Sequence, residues 1–193
     1  MAFIGLPFYG YCPYDVTTDE DGTETEVPKT GKLTRSVISF SASASSEATE
    51  LWAGDMMEQS DYGVPSGTVT ISRSYLSLDE EAEICGNTLS EDGELLHKDT
   101  DKAPYLKLGS MAKLKDPSRK VKYRVVIYMR GWFGPVSDEY NTAQKQPAFT
   151  TPSLSGSVTV NAKGEFRKKK EFDKYEEALA YFKQELNIAG GGG

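Results

Sequence analysis

Strands with one apolar face and one hydroxyl-rich face constrain this chain more than any other feature of its sequence. The first runs from Gly67 to Leu76. Its apolar residues share one face: Val69, Ile71 and Tyr75. Its hydroxyl residues share the other: Thr68, Thr70, Ser72 and Ser74. A period of two is typical of a strand with one buried face, so such a strand has too little apolar surface to be buried on both sides.

The same alternation returns twice later in the chain. From Leu154 to Ala162, one face carries Leu154 and Val158 and the other carries Ser155, Ser157 and Thr159. From Val121 to Phe133, one side is apolar and the other mixes charge with large rings. The apolar side includes Val125, Ile127, Met129 and Phe133. We expect a sheet that covers a modest core with one face and offers the other to water or to copies of itself.

Composition favours a single domain, over residues 1–189. The 193 residues are 38% hydrophobic and 26% charged, which is ordinary for a globular protein. A net charge of −7 argues against a surface that binds nucleic acid by neutralising phosphates, because that mode needs clustered Lys and Arg. Residues 1–14 lack a basic start and contain Gly5 and Pro7, so neither a signal peptide nor a membrane span is predicted and we expect cytosolic synthesis. Cys12 and Cys85 lack CxxC spacing and are interpreted as buried thiols.

Local signals predict two helices and a hairpin. Asp21-Gly22 is typical of a hairpin tip, and the alternative, a calcium loop, does not fit the EF-hand spacing. Ser77 begins a capping box that predicts a helix to about Cys85. Asp173 predicts the N-cap of a C-terminal helix over 173–187. Its apolar stripe consists of Tyr175, Ala178, Leu179, Phe182 and Leu186.

Other segments are assigned more coarsely. Residues 3–14, 32–44 and 104–114 are predicted strands, and 136–149 is predicted to pair back on the third long strand. The basic run Arg167–Lys170 is interpreted as an exposed turn or an inter-subunit ion-pair patch. Residues 190–193 are predicted to form a flexible glycine tail.

Residues 45–66 form the longest stretch without a sustained period. The segment nevertheless contains large apolar residues, namely Leu51, Trp52, Met56, Met57 and Tyr62. A disordered loop would not contain so many of them. Two interpretations remain: a long loop that folds back on its own core, or an arm that docks on a neighbouring subunit.

Catalytic and cofactor motifs are lacking in the sequence. His97 is the only histidine and lies in an acidic, turn-rich segment, so nucleophilic catalysis has a single possible base. Carboxylates cluster where turns and outer helix faces are predicted, and neither GxGxxG after a strand nor GxxxxGK[ST] is present. We therefore predict no enzyme activity, no catalytic residues, no cofactor and no metal.

Several segments resemble the major tail proteins of long-tailed bacteriophages, in particular the family named after phage phi13. The resemblance is carried by 50–55 (ELWAGD), 67–71 (GTVTI), the capped helix that ends at Gly86, 92–94 (DGE), 101–105 (DKAPY) and 149–156 (FTTPSLSG). It covers most of the chain, from about Phe3 to Phe166.

The resemblance implies a mainly β fold with flanking helices (α+β). The fold that the resemblance implies is a tail-tube-type β-sandwich, six copies of which would close into a ring with an inner β-barrel. Stacked rings would form the tail tube through which genomic DNA is ejected. The implied partners are other copies of the chain, a tape-measure protein and tail terminator or baseplate proteins. DNA would pass without specific binding, and the protein would belong to the virion tail, assembled in the host bacterial cytoplasm.

Alternation and the implied tube together suggest which residues line the lumen. Hydroxyls keep a wall wet without fixed charge, so we predict that the lumen is lined by Thr68, Thr70, Ser72, Ser155, Ser157 and Thr159. One alternative function is a β-sandwich that binds carbohydrate or a cell surface through aromatic residues such as Tyr128, Trp132 and Tyr140. Another is the tube of a contractile injection system.

Overall fold

The computed structural model describes residues 2–46, 48–53, 56–137 and 151–189. In these residues the chain is mainly β, with two helices, as the sequence indicated. The strands are β1 (Ala2–Thr18), β2 (Glu24–Pro28), β3 (Lys32–Thr34), β4 (Val37–Ser45), β5 (Ala48–Ala53), β6 (Met56–Tyr62), β7 (Ser66–Arg73), β8 (Thr88–Leu89), β9 (Leu95–Leu96), β10 (Tyr105–Lys115), β11 (Val121–Phe133), β12 (Ser153–Thr159) and β13 (Arg167–Phe172). The helices are α1 (Leu78–Cys85) and α2 (Tyr175–Glu185).

One large antiparallel sheet organises the molecule. Its strand order is β2-β1-β10-β11-β12-β7-β4, while β3 joins β1 and β13 joins β11. Strand β11 is long enough to pair with two strands along one side. Its residues 123–128 pair with β13 and its residues 130–133 pair with β12. Two short hairpins, β5-β6 and β8-β9, are separate sheets.

The sheet curls so that strands far apart in the strand order share one core. This first core joins Tyr9 of β1, Ile71 of β7 and Ile84 of α1 in a single buried cluster. The Arg73 guanidinium of β7 donates a hydrogen bond of 3.1 Å to the Tyr9 hydroxyl of β1. Such a contact requires the sheet to bend round, because four pairing steps separate β1 from β7.

A second core lies on the opposite face of β1, β10 and β11, where α2 packs. It contains Ala178, Phe182 and Leu186 of the predicted helical stripe, so the prediction that this stripe packs on the sheet is confirmed. The helix approaches closely because Gly10 and Gly109 are paired beneath it. A Cβ atom at either glycine would lie 2.8 Å from the Phe182 ring. The three central strands are thus buried on both faces, contrary to the expectation that each strand covers a core with one face.

A bulge in β11 redirects its side chains. Leu108 pairs with Tyr128, but Leu106, two residues earlier in β10, pairs with Gly131, three residues later in β11. The extra residue switches the alternation, so Met129 lies in the second core and Phe133 in the first. The prediction that both share one face was wrong for this reason.

Helix α1 begins and ends as predicted. Ser77 Oγ accepts a hydrogen bond from the Glu80 backbone N–H at 3.3 Å, and Gly86 closes the helix with a left-handed φ of 77°. At α2 the N-cap is Lys174, which makes no side-chain capping bond, so the assignment of Asp173 was wrong. Asp173 instead lies 3.9 Å from the Lys122 ammonium.

Four other segments differ from their predictions. Residues 32–44, predicted as one strand, form two. Tyr75, predicted on the apolar face of the strand from Gly67 to Leu76, lies beyond the end of β7 with 67% of its surface exposed. The basic run Arg167–Lys170 lies in β13 rather than in a turn. Residues 45–66, predicted to lack regular structure, contain the β5-β6 hairpin. Of the predicted partner strand 136–149, residues 138–149 lie outside the described residues.

Candidate functional site: a hydroxyl-lined sheet face

Three neighbouring strands place hydroxyl residues in register. In β4, β7 and β12, Ser41 pairs with Thr70, which pairs with Ser155. Equivalent rows are Ser39, Ser72 and Ser153, and Ser43, Thr68 and Ser157. We name this surface the hydroxyl face, comprising Ser39, Ser41, Ser43, Ser45, Ser66, Thr68, Thr70, Ser72, Ser153, Ser155, Ser157 and Thr159.

Burial of the alternate residues turns these side chains outward. Val69, Ile71, Leu154 and Val158 point into the first core and are at most 1% exposed. Because successive strand residues point to opposite faces, the hydroxyls lie on the other side. Each member of the hydroxyl face is exposed or half-buried. The face is therefore accessible in the monomer.

The hydroxyl face carries no formal charge, because every member is Ser or Thr. Hydroxyls donate and accept hydrogen bonds, and they can rotate to suit water or a polar ligand. One cross-strand pair already satisfies itself, since Ser43 Oγ and Thr68 Oγ1 are 2.8 Å apart. The surface can hold a water layer, but it has no cation to hold a phosphate.

Arg130 borders this face but is neutralised. It pairs with Thr159 across the sheet, and its guanidinium lies 2.8 Å from Glu24 Oε2 and 2.9 Å from Glu26 Oε1. It also donates to the Tyr14 hydroxyl at 3.2 Å. Burial by itself would lower the pKa of Arg130, but the bonds to the two carboxylates raise it above the usual range. This charge is therefore permanent and already compensated.

A second arginine is enclosed beneath β7. The Arg73 side chain is 2% exposed and donates to Ser36 Oγ at 2.7 Å and to Glu80 Oε2 at 2.8 Å. Its bond to Tyr9 connects the network to β1. Burial raises the pKa of Tyr9 to about 12, although the nearby Arg73 acts in the opposite direction. The network fixes α1 against the sheet and keeps this charge out of the hydroxyl face.

The structure brings all six predicted lumen residues onto one surface. Thr68, Thr70 and Ser72 lie on β7, while Ser155, Ser157 and Thr159 lie on β12. Whether this surface lines a lumen stays a prediction. Four further members of the face were not predicted, although a serine at every second position from 39 to 45 was the signal for them: Ser39, Ser41, Ser43 and Ser45.

The predicted arm residues belong to the β5-β6 hairpin. Leu51 and Trp52 lie in β5, and Met56, Met57 and Tyr62 lie in β6. Trp52 pairs with Met57 through the backbone, beside an irregularity in the register. Contact between this segment and a neighbouring subunit stays a prediction.

His97 lies in a small polar cluster. Its Nδ1 is 2.8 Å from Asn87 Nδ2, and its Nε2 is 4.0 Å from Glu81 Oε1. Neither neighbour is a nucleophile for which His97 could act as base. Across the described ranges, no group of three or more His, Cys, Asp or Glu residues is placed to hold a metal ion. Burial raises the pKa of the Cys12 thiol and raises that of Cys85 to about 11, which makes thiolate chemistry at neutral pH unfavourable.

Of the three aromatic residues suggested for sugar binding, the two that the structure describes do not form an open platform. Tyr128 is 4% exposed in the first core, and Tyr140 lies outside the described residues. Trp132 is half-buried and meets Tyr105 edge to face. The Tyr105 ring also has Tyr14 stacked at 6.0 Å and the Arg130 guanidinium at 4.9 Å. Stacking of a sugar ring would require these groups to move.

The described helices are too short and polar to span a membrane. Among known proteins, no family model matches the chain and no curated protein matches it. Function must therefore be inferred from the hydroxyl face and from the sequence resemblance.

Proposed function

We propose that the protein is a structural subunit of a phage-type tail tube. Copies close side by side into six-membered rings, rings stack, and the hydroxyl face lines a lumen through which genomic DNA passes. The observation that carries the proposal is the hydroxyl face itself. It extends over three adjacent strands with an uninterrupted set of uncharged hydroxyl groups.

The chemistry of this face suits a conduit. A passing polyanion would be held back by a cation on the wall, whereas hydroxyls retain water and offer no fixed charge. Arg130, which borders the face, is compensated by Glu24 and Glu26, and Arg73, beneath β7, is compensated by Glu80. The net charge of −7 disfavours phosphate adhesion elsewhere on the wall.

The sheet edge suits lateral association. Within the described residues, β4 hydrogen-bonds to β7 and to no other strand. An open edge with exposed Ser41 and Ser43 is a liability in a monomer, and pairing with a second copy would remove it. Six-fold closure follows from the resemblance to tail proteins. That resemblance also suggests the tape-measure and terminator or baseplate partners and a place in the virion tail.

Adding a charge to the hydroxyl face tests its role. Thr70→Lys places an ammonium at the centre of the face, and Thr100→Lys adds the same charge at an exposed residue elsewhere. Assembled tubes would be loaded with short DNA at physiological salt, treated with nuclease and assayed for protected DNA. We expect protected DNA in Thr70→Lys tubes, and little in wild-type or Thr100→Lys tubes. Equal protection in the two variants, or tight DNA binding by wild-type tubes, would contradict a hydroxyl-lined lumen.

A further inference from the structure

The turn between β10 and β11 is strongly basic. Residues 113–122 carry one carboxylate, Asp116. They also carry five cations, which we name the basic tip: Lys113, Lys115, Arg119, Lys120 and Lys122. Such a concentration of positive charge is unexpected in a chain with a net charge of −7. Neither the hydroxyl face nor the edge of β4 includes any residue of the basic tip.

The carboxylate of this turn is already engaged in closing it. Asp116 Oδ1 accepts hydrogen bonds from Ser118 Oγ at 2.7 Å and from the Lys120 backbone N–H at 2.8 Å. Within the described residues, Lys115, Arg119 and Lys120 make no ion pair, and Lys122 has Asp173 at 3.9 Å. Most of the positive charge of the basic tip is therefore available to a partner.

The opposite end of the same sheet is acidic. The β1-β2 turn carries three exposed carboxylates, which we name the acidic tip: Asp19, Glu20 and Asp21. Asp21 accepts a bond from the Thr23 backbone N–H at 3.0 Å, while Asp19 and Glu20 make no ion pair within the described residues. The nearby Glu24 and Glu26 differ, because Arg130 pairs with both. The uncompensated negative charge of this hairpin is thus concentrated at its tip.

Register places the two tips at opposite ends of the strand axis. At one end of β1, Ala2 pairs with Lys115, next to the basic tip. At the other end, Thr18 pairs with Glu24, next to the acidic tip. The strand has 17 residues, which at about 3.3 Å per residue separates the tips by roughly 50 Å. The tips of one molecule cannot neutralise each other over this distance.

We propose that the basic tip of one copy docks on the acidic tip of a second copy, head to tail along the strand axis. Contact between like tips is repulsive, so the association is heterologous and propagates. Pairing of sheet edges acts across the strands, whereas the tips act along them, so both contacts fit in one assembly. The assignment of this contact to ring stacking rests on the proposed function. The head-to-tail contact itself does not.

Charge reversal at each tip tests the docking. Lys115→Glu/Arg119→Glu/Lys120→Glu leaves two cations and four carboxylates at the basic tip, so this chain is acidic at both ends. Asp19→Lys/Glu20→Lys gives a chain that is basic at both ends. Each variant alone should lose head-to-tail association by on the order of tenfold or more, because like charges then meet. An equimolar mixture should associate again, and so should the chain with all five substitutions, because opposite charges then meet. Arg35→Glu/Lys98→Glu/Lys102→Glu makes the same charge change at exposed residues away from the tips and should behave as wild type.

Sedimentation velocity at low and at physiological salt measures the association, and electron micrographs distinguish rings from stacks. Wild-type association that weakens with salt, together with rescue by mixing, supports the docking. A mixture that stays dissociated, or reversed variants that stack normally, would overturn the docking of the two tips. Rings that remain intact in these variants would leave the proposed function in place. DNA binding lost on reversal of the basic tip, with stacking unchanged, would also overturn the docking and would identify a polyanion as the partner.

Discussion

At the residue scale, two glycines, Gly10 and Gly109, let α2 reach the sheet. A Cβ atom at Gly109 would lie 2.8 Å from both Phe182 Cε2 and Ile127 Cδ1. We expect Gly109→Ala to cost about 1 to 3 kcal/mol as an overpacking change. Phe182→Ala should cost about 3 to 5 kcal/mol, because it leaves a cavity. Denaturant unfolding of each variant measures both losses.

The double variant distinguishes close packing from a general effect of alanine. Removal of the Phe182 ring makes room for the new methyl group, so Gly109→Ala/Phe182→Ala should lose less stability than the sum of the single losses. Gly5→Ala is the matched control, because a Cβ atom at Gly5 would meet nothing within 4 Å. It should change the free energy of unfolding by less than about 0.5 kcal/mol. Strict additivity of the two losses would contradict the packing described for α2.

At the element scale, β1 carries three buried tyrosines whose pKa values are raised chiefly by burial: Tyr9, Tyr11 and Tyr14. The pKa of Tyr9 is about 12, against 10.0 for an ordinary tyrosine. A raised folded-state pKa means that the unfolded chain loses its proton first. The stabilising contribution is therefore complete below pH 10 and is lost as the pH rises toward 12.

We accordingly expect alkaline unfolding of the protein between pH 10 and 12, with part of its tyrosine absorbance changing only as the fold is lost. Circular dichroism and absorbance near 295 nm, followed in one titration, would measure both processes. After correction for the difference in stability at pH 8, Tyr9→Phe should have a higher pH midpoint of unfolding than the wild type, because one of the titrating groups is absent. Full ionisation of all 11 tyrosines in a still folded protein would contradict the burial of Tyr9, Tyr11 and Tyr14.

Elements set by local chemistry could be predicted from the sequence, whereas those set by distant contacts could not. Ser77 and Gly86 determine both ends of α1 within a few residues of chain, and both were identified. The burial of β10 on two faces depends on Gly109. In the sequence a glycine is only a weak indicator of a strand, and its role in packing is evident only from the Phe182 ring above it in the fold. Likewise β5-β6 was missed because its register is irregular near Trp52.

At the scale of the whole molecule, charge and hydroxyl groups are segregated. The hydroxyl face is neutral, the arginines beside it are compensated, and the free charges of the two hairpin turns lie at opposite ends of β1. Half of the candidate face could be predicted, because β7 and β12 alternate without interruption. Alignment of Ser39–Ser45 beside Thr70 could not be predicted, because strand order is a property of the folded sheet.

A cryo-electron microscopy reconstruction of the self-assembled protein would show whether the hydroxyl face lines a lumen. We expect a tube of stacked six-membered rings in which Ser41, Thr70 and Ser155 face the lumen. A protein that stays monomeric at high concentration would contradict the account. A tube with these three hydroxyl groups on its outer surface would contradict it equally.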